Sequence, residues 1–315
     1  MQHDVNSVKP QSLSQLVGNT HVLEQVRVAL LAAQVDERRF DHSILTGGPG
    51  LGKTQICHVI AQEMAVDLHE ILGQSIMSSA DMNALLLAAK DCDIVYIDEC
   101  HELGREYQTA LYLALDQRKL VISGRGRTPQ TIPLADFTLL LSTTDEFSVL
   151  QPLRHRARLE LRLQPFTVEE LTQVLLQRIH GLKWTVHEEI LPLIGMRSRG
   201  VPRLALRLLQ ACHRCARSEG ESTLSNRHFI RACELEQLDA LGLGPVEQKY
   251  LAIVAEGPTR LNVIASRVGL PTRTISEVTE SFLMRAGLIC KDEQGRRNLT
   301  AEGREHLLNT SKNTV

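Results

Sequence analysis

The chain has 315 residues, a length for two or three domains, with 43% hydrophobic but only 3% aromatic residues. Its core must therefore be aliphatic, which leans to α/β or all-α and away from an aromatic-rich β-sandwich. A net charge of −2 carries no global basic signature, so a nucleic-acid surface would have to be a local patch.

The N-terminal "MQHDVNSVKPQS" has no apolar signal core, and no run approaches the ~20 apolar residues that span a bilayer. Seven cysteines at scattered spacing fit a reducing compartment. The expectation is a soluble, cytoplasmic protein with no membrane partner. Residues 13–36 show helical apolar spacing. Residues 44–147 then alternate strand-like runs ("SILTG", a weaker "DLHEIL", "DIVYID", "DFTLLLSTT") with helical stretches. That alternation predicts a parallel sheet with helices on both faces. Beyond "LRLQPFT" the strands stop, and 167–240 is expected to be helical. "CHRC", with Cys212, His213 and Cys215, lacks a second ligand pair at convincing spacing and reads as helix interior rather than zinc site. "LGLGP" at 241–245 is a predicted hinge. After it, 245–308 reads as two helices across a Gly-Leu-Pro turn, then strand, glycine turn, strand and helix, the order of a winged helix-turn-helix. The expected domains are 1–166, 167–243 and 244–315.

Chemistry enters at Gly47-x4-Gly52-Lys53-Thr54. A strand before this loop and a helix after it are what a phosphate-binding loop requires. Backbone N–H groups turn toward phosphate oxygens and the helix dipole favours the anion. Lys53 is expected to reach the β- and γ-phosphates of a nucleoside triphosphate, and Thr54 to hold Mg²⁺. "DIVYIDE" delivers Asp98 and Glu99 at a strand's carboxyl end, Asp98 for the Mg²⁺ shell and Glu99 to polarise the attacking water. Thr143 and Thr144 end another buried strand, where a hydroxyl can report the γ-phosphate. Arg154, Arg156 and Arg158 form one candidate arginine group, and Arg199, Arg203 and Arg207 another. An arginine fork can neutralise γ-phosphate charge, often from a neighbouring subunit.

In this order the motifs resemble the AAA+ ATPases. More narrowly they resemble the RuvB family of hexameric motors that migrate Holliday junctions in DNA recombination and repair. The likeness spans about residues 12–307. It rests on "SLSQLVGNTHVLEQVRVAL", "GGPGLGKTQICHVIA", "YIDECHEL", "TIPLADFTLLLSTT", "PLRHR", "RSRGVPRLALRLL" and "FLMRAGLICKDEQGRRNLT". The resemblance implies a P-loop core, a helical lid and a winged helix. It implies ATP contacts from Gly48, Pro49, Gly50, Leu51, Gly52, Lys53, Thr54 and Gln55. It further implies an adenine pocket from Val17, Gly18, Phe166 and Pro202, with Thr143 as sensor. Arg156 becomes the arginine finger presented in trans, and Arg203 the γ-phosphate contact in cis. Six-subunit rings and winged-helix DNA contact, here through Lys291, Arg296 and Arg297, are implied as well.

Some residues depart from the family pattern. Asp145-Glu146-Phe147 stands where Arg-Ala-Gly is usual, and Ala157 where Phe is usual. The wing has "DEQGRR" in place of Thr-Pro-Arg-Gly-Arg. The 118–134 stretch, where the family presents a hairpin to its junction-binding partner RuvA, is more basic, with Arg118, Lys119, Arg125 and Arg127. Two functions therefore fit: an ATP-driven DNA motor, or an ATP-switched loader that binds DNA and positions a partner without moving it.

Overall fold

The computed structural model describes residues 4–122 and 130–312. Two compact units divide the chain, one made of Met1–Gly181 with Val201–Arg203, the other of Leu182–Gly200 with Leu204–Val315.

The first unit is built on five parallel strands, β1 (Ser43–Thr46), β2 (Leu68–Leu72), β3 (Ile94–Asp98), β6 (Thr138–Thr143) and β7 (Leu159–Arg162), in the order β2-β3-β6-β1-β7. A parallel sheet covered on both faces needs central strands without polar alternation. Accordingly β6 is buried at every position and β3 at all but its last, whereas edge strand β7 exposes Glu160 and Arg162. Side chains alternate between faces. Leu45, Tyr96, Leu140 and Leu161 join the helices Thr20–Val35 and Lys53–Met64 in one core. Ile44, Val95, Ile97, Leu139 and Leu141 join Ser79–Ala88 and Arg105–Gln117 in the other. The remaining two strands, β4 (Lys119–Ile122) and β5 (Gln130–Pro133), form an antiparallel pair. Arg118 at its base pairs with Asp136 at 3.0 Å, while Arg125 and Arg127 lie outside the described residues.

The second unit carries one feature the sequence did not suggest, a parallel pair of two-residue strands, Thr185–Val186 and Thr223–Leu224, within the expected helical stretch. Two residues are too few to show a period. The segment 241–245, expected as a hinge, is largely buried: Leu243 is fully covered, and a Cβ on Gly242 would meet the Arg197 carbonyl oxygen at 1.9 Å. The helices Pro245–Ala255 and Leu261–Val268, a third helical run over 272–285 and the antiparallel strands Ile289–Lys291 and Arg297–Leu299 complete a winged helix. Residues Ile275–Glu280 of that run are π-helical.

His42, just before β1, has an acid sensitivity that can be measured. Its Nδ1 accepts the Leu139 N–H at 2.8 Å. Burial first, then the Arg39 charge, push the imidazole down to about 3 against weaker opposition from Asp136. The folded state thus refuses a proton that the unfolded chain accepts below about pH 6.5. Stability from this group is complete above that value and is lost as pH falls toward 3, at about 1.4 kcal/mol per pH unit. Urea unfolding at several pH values checks this against His42→Asn, which keeps an acceptor for Leu139 and does not titrate. Equal acid slopes in the two proteins would refute it.

Candidate functional site

The phosphate loop leaves β1 at the carboxyl end of the sheet and enters the helix Lys53–Met64. No side chain caps that helix, so its first N–H groups remain available to an anion. Gly48 and Pro49 are exposed, and Leu51 anchors the loop from below. Gly50 has φ +79°, and a Cβ there would lie 2.9 Å from both Arg203 Cβ and Val201 Cγ1; only glycine permits that approach. The Arg203 N–H donates to the Gly50 carbonyl at 3.4 Å. Pro202 and Arg203 thus sit against the loop although 150 residues separate them in sequence.

Lys53 is buried. Its ammonium donates to the Gly47 and Gly48 carbonyls at 2.8 and 3.1 Å. Burial lowers its pKa, Arg203 adds to the lowering, and Glu99 and Asp98 oppose it. The Lys53 ammonium is thereby held at the loop, where a phosphate could replace the carbonyls as its partner.

Across from the loop, the pairing of Ile97 with Leu141 in β3 and β6 brings Asp98 beside Ser142. Asp98 Oδ1 accepts from Ser142 Oγ and from the Glu99 N–H. Its Oδ2 accepts from Thr54 Oγ1 at 3.4 Å. The Tyr96 hydroxyl donates to Thr54 Oγ1 at 3.2 Å and lies 2.9 Å from Ser142 Oγ. Burial raises the Tyr96 pKa and keeps the phenol neutral. Tyr96 and Ser142 were missed in the sequence. Tyr96 had a signal: it lies two residues before Asp98 on one strand, hence on the same face. Ser142 had none, because only strand order brings β6 against β3.

Glu99 directly follows β3 with φ 48°, an uncommon conformation for a non-glycine residue. Its Oε2 accepts from the Thr144 N–H at 3.3 Å and the Thr144 hydroxyl at 3.2 Å, and His101 Nδ1 lies 3.3 Å away. Thr143, the expected sensor, is fully buried, with its hydroxyl 3.0 Å from His101 Nδ1. Of the two threonines it is Thr144 that reaches Glu99. His101 touches both Thr143 and Glu99.

The segment expected at the adenine is held against residues 164–166. A Cβ on Gly18 (φ +76°) would strike the Phe166 ring at 2.6 Å, and Val17 beside it is half-buried. Asn19 Oδ1 accepts from the Gln164 N–H at 2.6 Å. Gln55, expected at the nucleotide, directs its side-chain amide to the Pro10 carbonyl at 2.8 Å, tying down the N-terminal segment.

The expected finger, Arg156, makes no contact with this loop: its partners are Asp116, the Pro152 carbonyl and the Tyr112 ring. Glu146, one of the departures from the family pattern, pairs with Arg154 at 3.4 Å and Arg162 at 2.9 Å. In the wing, Lys291 and Arg296 are exposed enough to meet a ligand, though Lys291 lies 3.8 Å from Glu280 and Arg296 pairs with Asp292 at 2.8 Å. Arg297 corrects the expectation of a DNA contact. It is 8% exposed, and its Nε and Nη2 bind Glu280 at 2.6 and 3.0 Å. Arg297 opens its strand and is buried, whereas Arg296, in the turn before it, stays half-exposed.

The description "Holliday junction DNA helicase RuvB P-loop domain" matches residues 8–163, and "RuvB C-terminal winged helix domain" matches residues 240–308. The Holliday junction branch migration complex subunit RuvB of Kosmotoga olearia is 34% identical over 308 residues, covering 96% of this chain and 90% of the relative. The chain belongs to the RuvB family. The RuvB of Anaeromyxobacter sp. strain K is likewise 34% identical, over 94% of this chain and 88% of its own length. Among solved structures, the Thermotoga maritima RuvB Holliday junction branch migration motor superposes with a TM-score of 0.84 at 30% identity, over 95% of this chain and 98% of that one. Membership of the RuvB family makes the P-loop unit an ATPase. Among the described residues no helix is long and apolar enough to cross a membrane.

Proposed function

We propose that this RuvB-family chain is an ATP-driven motor that moves duplex DNA and migrates Holliday junctions. The observation that carries the reading is the convergence of Lys53, Thr54, Asp98 and Glu99 on one loop end, in a chain alike to RuvB along nearly its full length.

The pieces divide the work. The loop amides and Lys53 grip the phosphates. Thr54 and Asp98 present hard oxygen donors, which suit Mg²⁺ in company with phosphates and water; the ion would neutralise charge on the β- and γ-oxygens. Glu99 accepts the proton of the attacking water. Thr144 and His101 hold its carboxylate, and Thr143 steadies His101. Arg203 completes the γ-phosphate contact in cis. Arg156, turned away from its own loop, serves a neighbour's site, which requires a ring, by likeness a hexamer. Val17, Gly18, Phe166 and Pro202 line the adenine side. Lys291 and Arg296 give the wing its phosphate contacts. The three-way division 1–166, 167–243 and 244–315 serves as the functional one, and the cytoplasm as the place of action.

A RuvA-like junction binder is the expected partner. The basic Arg118–Lys119 base of the hairpin supports the second reading, a ring that loads a partner on DNA. Work separates the two. ATP turnover measured with linear duplex and with a synthetic four-way junction, scored in the same tubes for junction dissociation, should rise with DNA and accompany dissociation. Turnover without dissociation, even with RuvA added, would replace the motor with the loader.

A further inference from the structure

Arg156 is held on three sides. Its Nε donates to Asp116 Oδ1 at 3.0 Å and its Nη2 to Asp116 Oδ2, a side-by-side pair. Its Nη1 donates to the Pro152 carbonyl at 2.8 Å. The guanidinium carbon lies 5.1 Å from the centre of the Tyr112 ring. Tyr112 and Asp116 are four residues apart on the helix Arg105–Gln117, so both project from one face. The hydrogen bond from Arg156 holds the Asp116 carboxyl below the usual carboxylate range.

This pair is partly exposed, with side chains at 31% and 43%. Such a pair contributes little to stability, so what it chiefly sets is direction. A free arginine samples many rotamers, and a fork that must meet a phosphate gains from being fixed beforehand. Five N–H groups make up the fork. Asp116 and Pro152 take one each from Nε, Nη2 and Nη1, which leaves one N–H on each terminal nitrogen. Both remain available to donate to a phosphate. Of the flanking arginines, Arg154 is engaged by Glu146 and lies 6.0 Å from the centre of the Phe147 ring, whereas Arg158 is 72% exposed, with Asp41 at 3.3 Å.

We propose that Asp116 is a positioning residue for phosphoryl transfer, aiming Arg156 at the nucleotide of a neighbouring subunit, with the Tyr112 ring supporting the guanidinium from its face. The proposal rests on the reading of Arg156 as the finger in trans.

The test compares Asp116→Ala, Asp116→Glu and Arg156→Ala in the full chain, with DNA present. ATP turnover, affinity for a fluorescent ATP analogue and Tm are measured for each. Asp116→Ala should lower kcat about ten- to a hundredfold, the scale on which a misplaced group costs rate. Nucleotide affinity and Tm should stay at native values, and Asp116→Glu should recover most of the rate. Co-assembly of Asp116→Ala with Glu99→Gln supplies a readout that a folding defect would not move. A Glu99→Gln subunit presents a well-aimed Arg156 to the intact loop of its Asp116→Ala neighbour, so the mixture should turn over faster than either variant alone. Native or raised kcat in Asp116→Ala, with Arg156→Ala inactive, overturns the positioning role alone. The absence of recovery on mixing does so too, because the defect would then lie in cis. Native turnover in Arg156→Ala overturns the finger reading, and the positioning role with it.

Discussion

Replacing Glu99 with Gln should leave nucleotide binding intact and lower ATP turnover by about 10²- to 10⁴-fold, the range for loss of a positioned general base. The geometry explains both halves. The groups that would grip phosphate are Lys53, the loop amides and Thr54, and none of them depends on the Glu99 carboxylate for its position. Glu99 instead answers to Thr144 and His101. A glutamine keeps an oxygen that can accept from Thr144 but cannot take a proton from water. Steady-state phosphate release, measured beside equilibrium binding of a fluorescent ATP analogue, checks the prediction. Junction dissociation should disappear in the same variant, since the motor would bind ATP and stall. A variant that lost binding as well would mean Glu99 is part of the grip; one that kept turnover would move the base elsewhere.

The second large effect is in the winged helix. Replacing Arg297 with Met should destabilise the protein by about 3 kcal/mol, because the buried Glu280 charge loses its two-pronged partner and keeps only the half-exposed Lys291 ammonium at 3.8 Å. Glu280 is 1% exposed. It accepts from Arg297 through both oxygens and from the Tyr250 hydroxyl at 2.7 Å. Burial and the neighbouring carboxylate both raise the Tyr250 pKa, so the phenol stays a donor. The contact ties the π-helical stretch to the second wing strand. Adding Glu280→Met to Arg297→Met should return much of the loss, since an apolar pair of similar volume needs no desolvation of charge. Urea unfolding of the single and double variants decides it; equal stabilities would show that the pair is solvated after all. DNA binding by an Arg297 variant therefore reports fold, not phosphate contact. Arg296 is the substitution for that purpose, expected to reduce the salt slope of duplex affinity by about 1.

Much of this protein was legible from local pattern. The glycine loop between strand and helix, the acid pair at the end of an apolar run and the strand-turn-strand order of the wing are short-range features. Each follows from backbone chemistry within ten or twenty residues, so Lys53, Thr54, Asp98 and Glu99 could be named from the sequence, and the family with them. Side-chain partners across strands and loops could not. Ser142 meets Asp98 because β6 lies next to β3, an adjacency set by sheet order. Thr144 rather than Thr143 reaches Glu99 because period-two alternation turns Thr143 inward to His101. Gln55, beside the loop in sequence, reaches away to Pro10. Arg296 and Arg297 are adjacent and both basic; one faces solvent and the other is buried on Glu280, and only the packed wing decides which. Asp116 carries no motif at all. Sequence fixes what recurs along the chain at short range, while contacts such as Arg156 with Asp116 wait on tertiary packing, which alone brings distant charges within hydrogen-bonding distance.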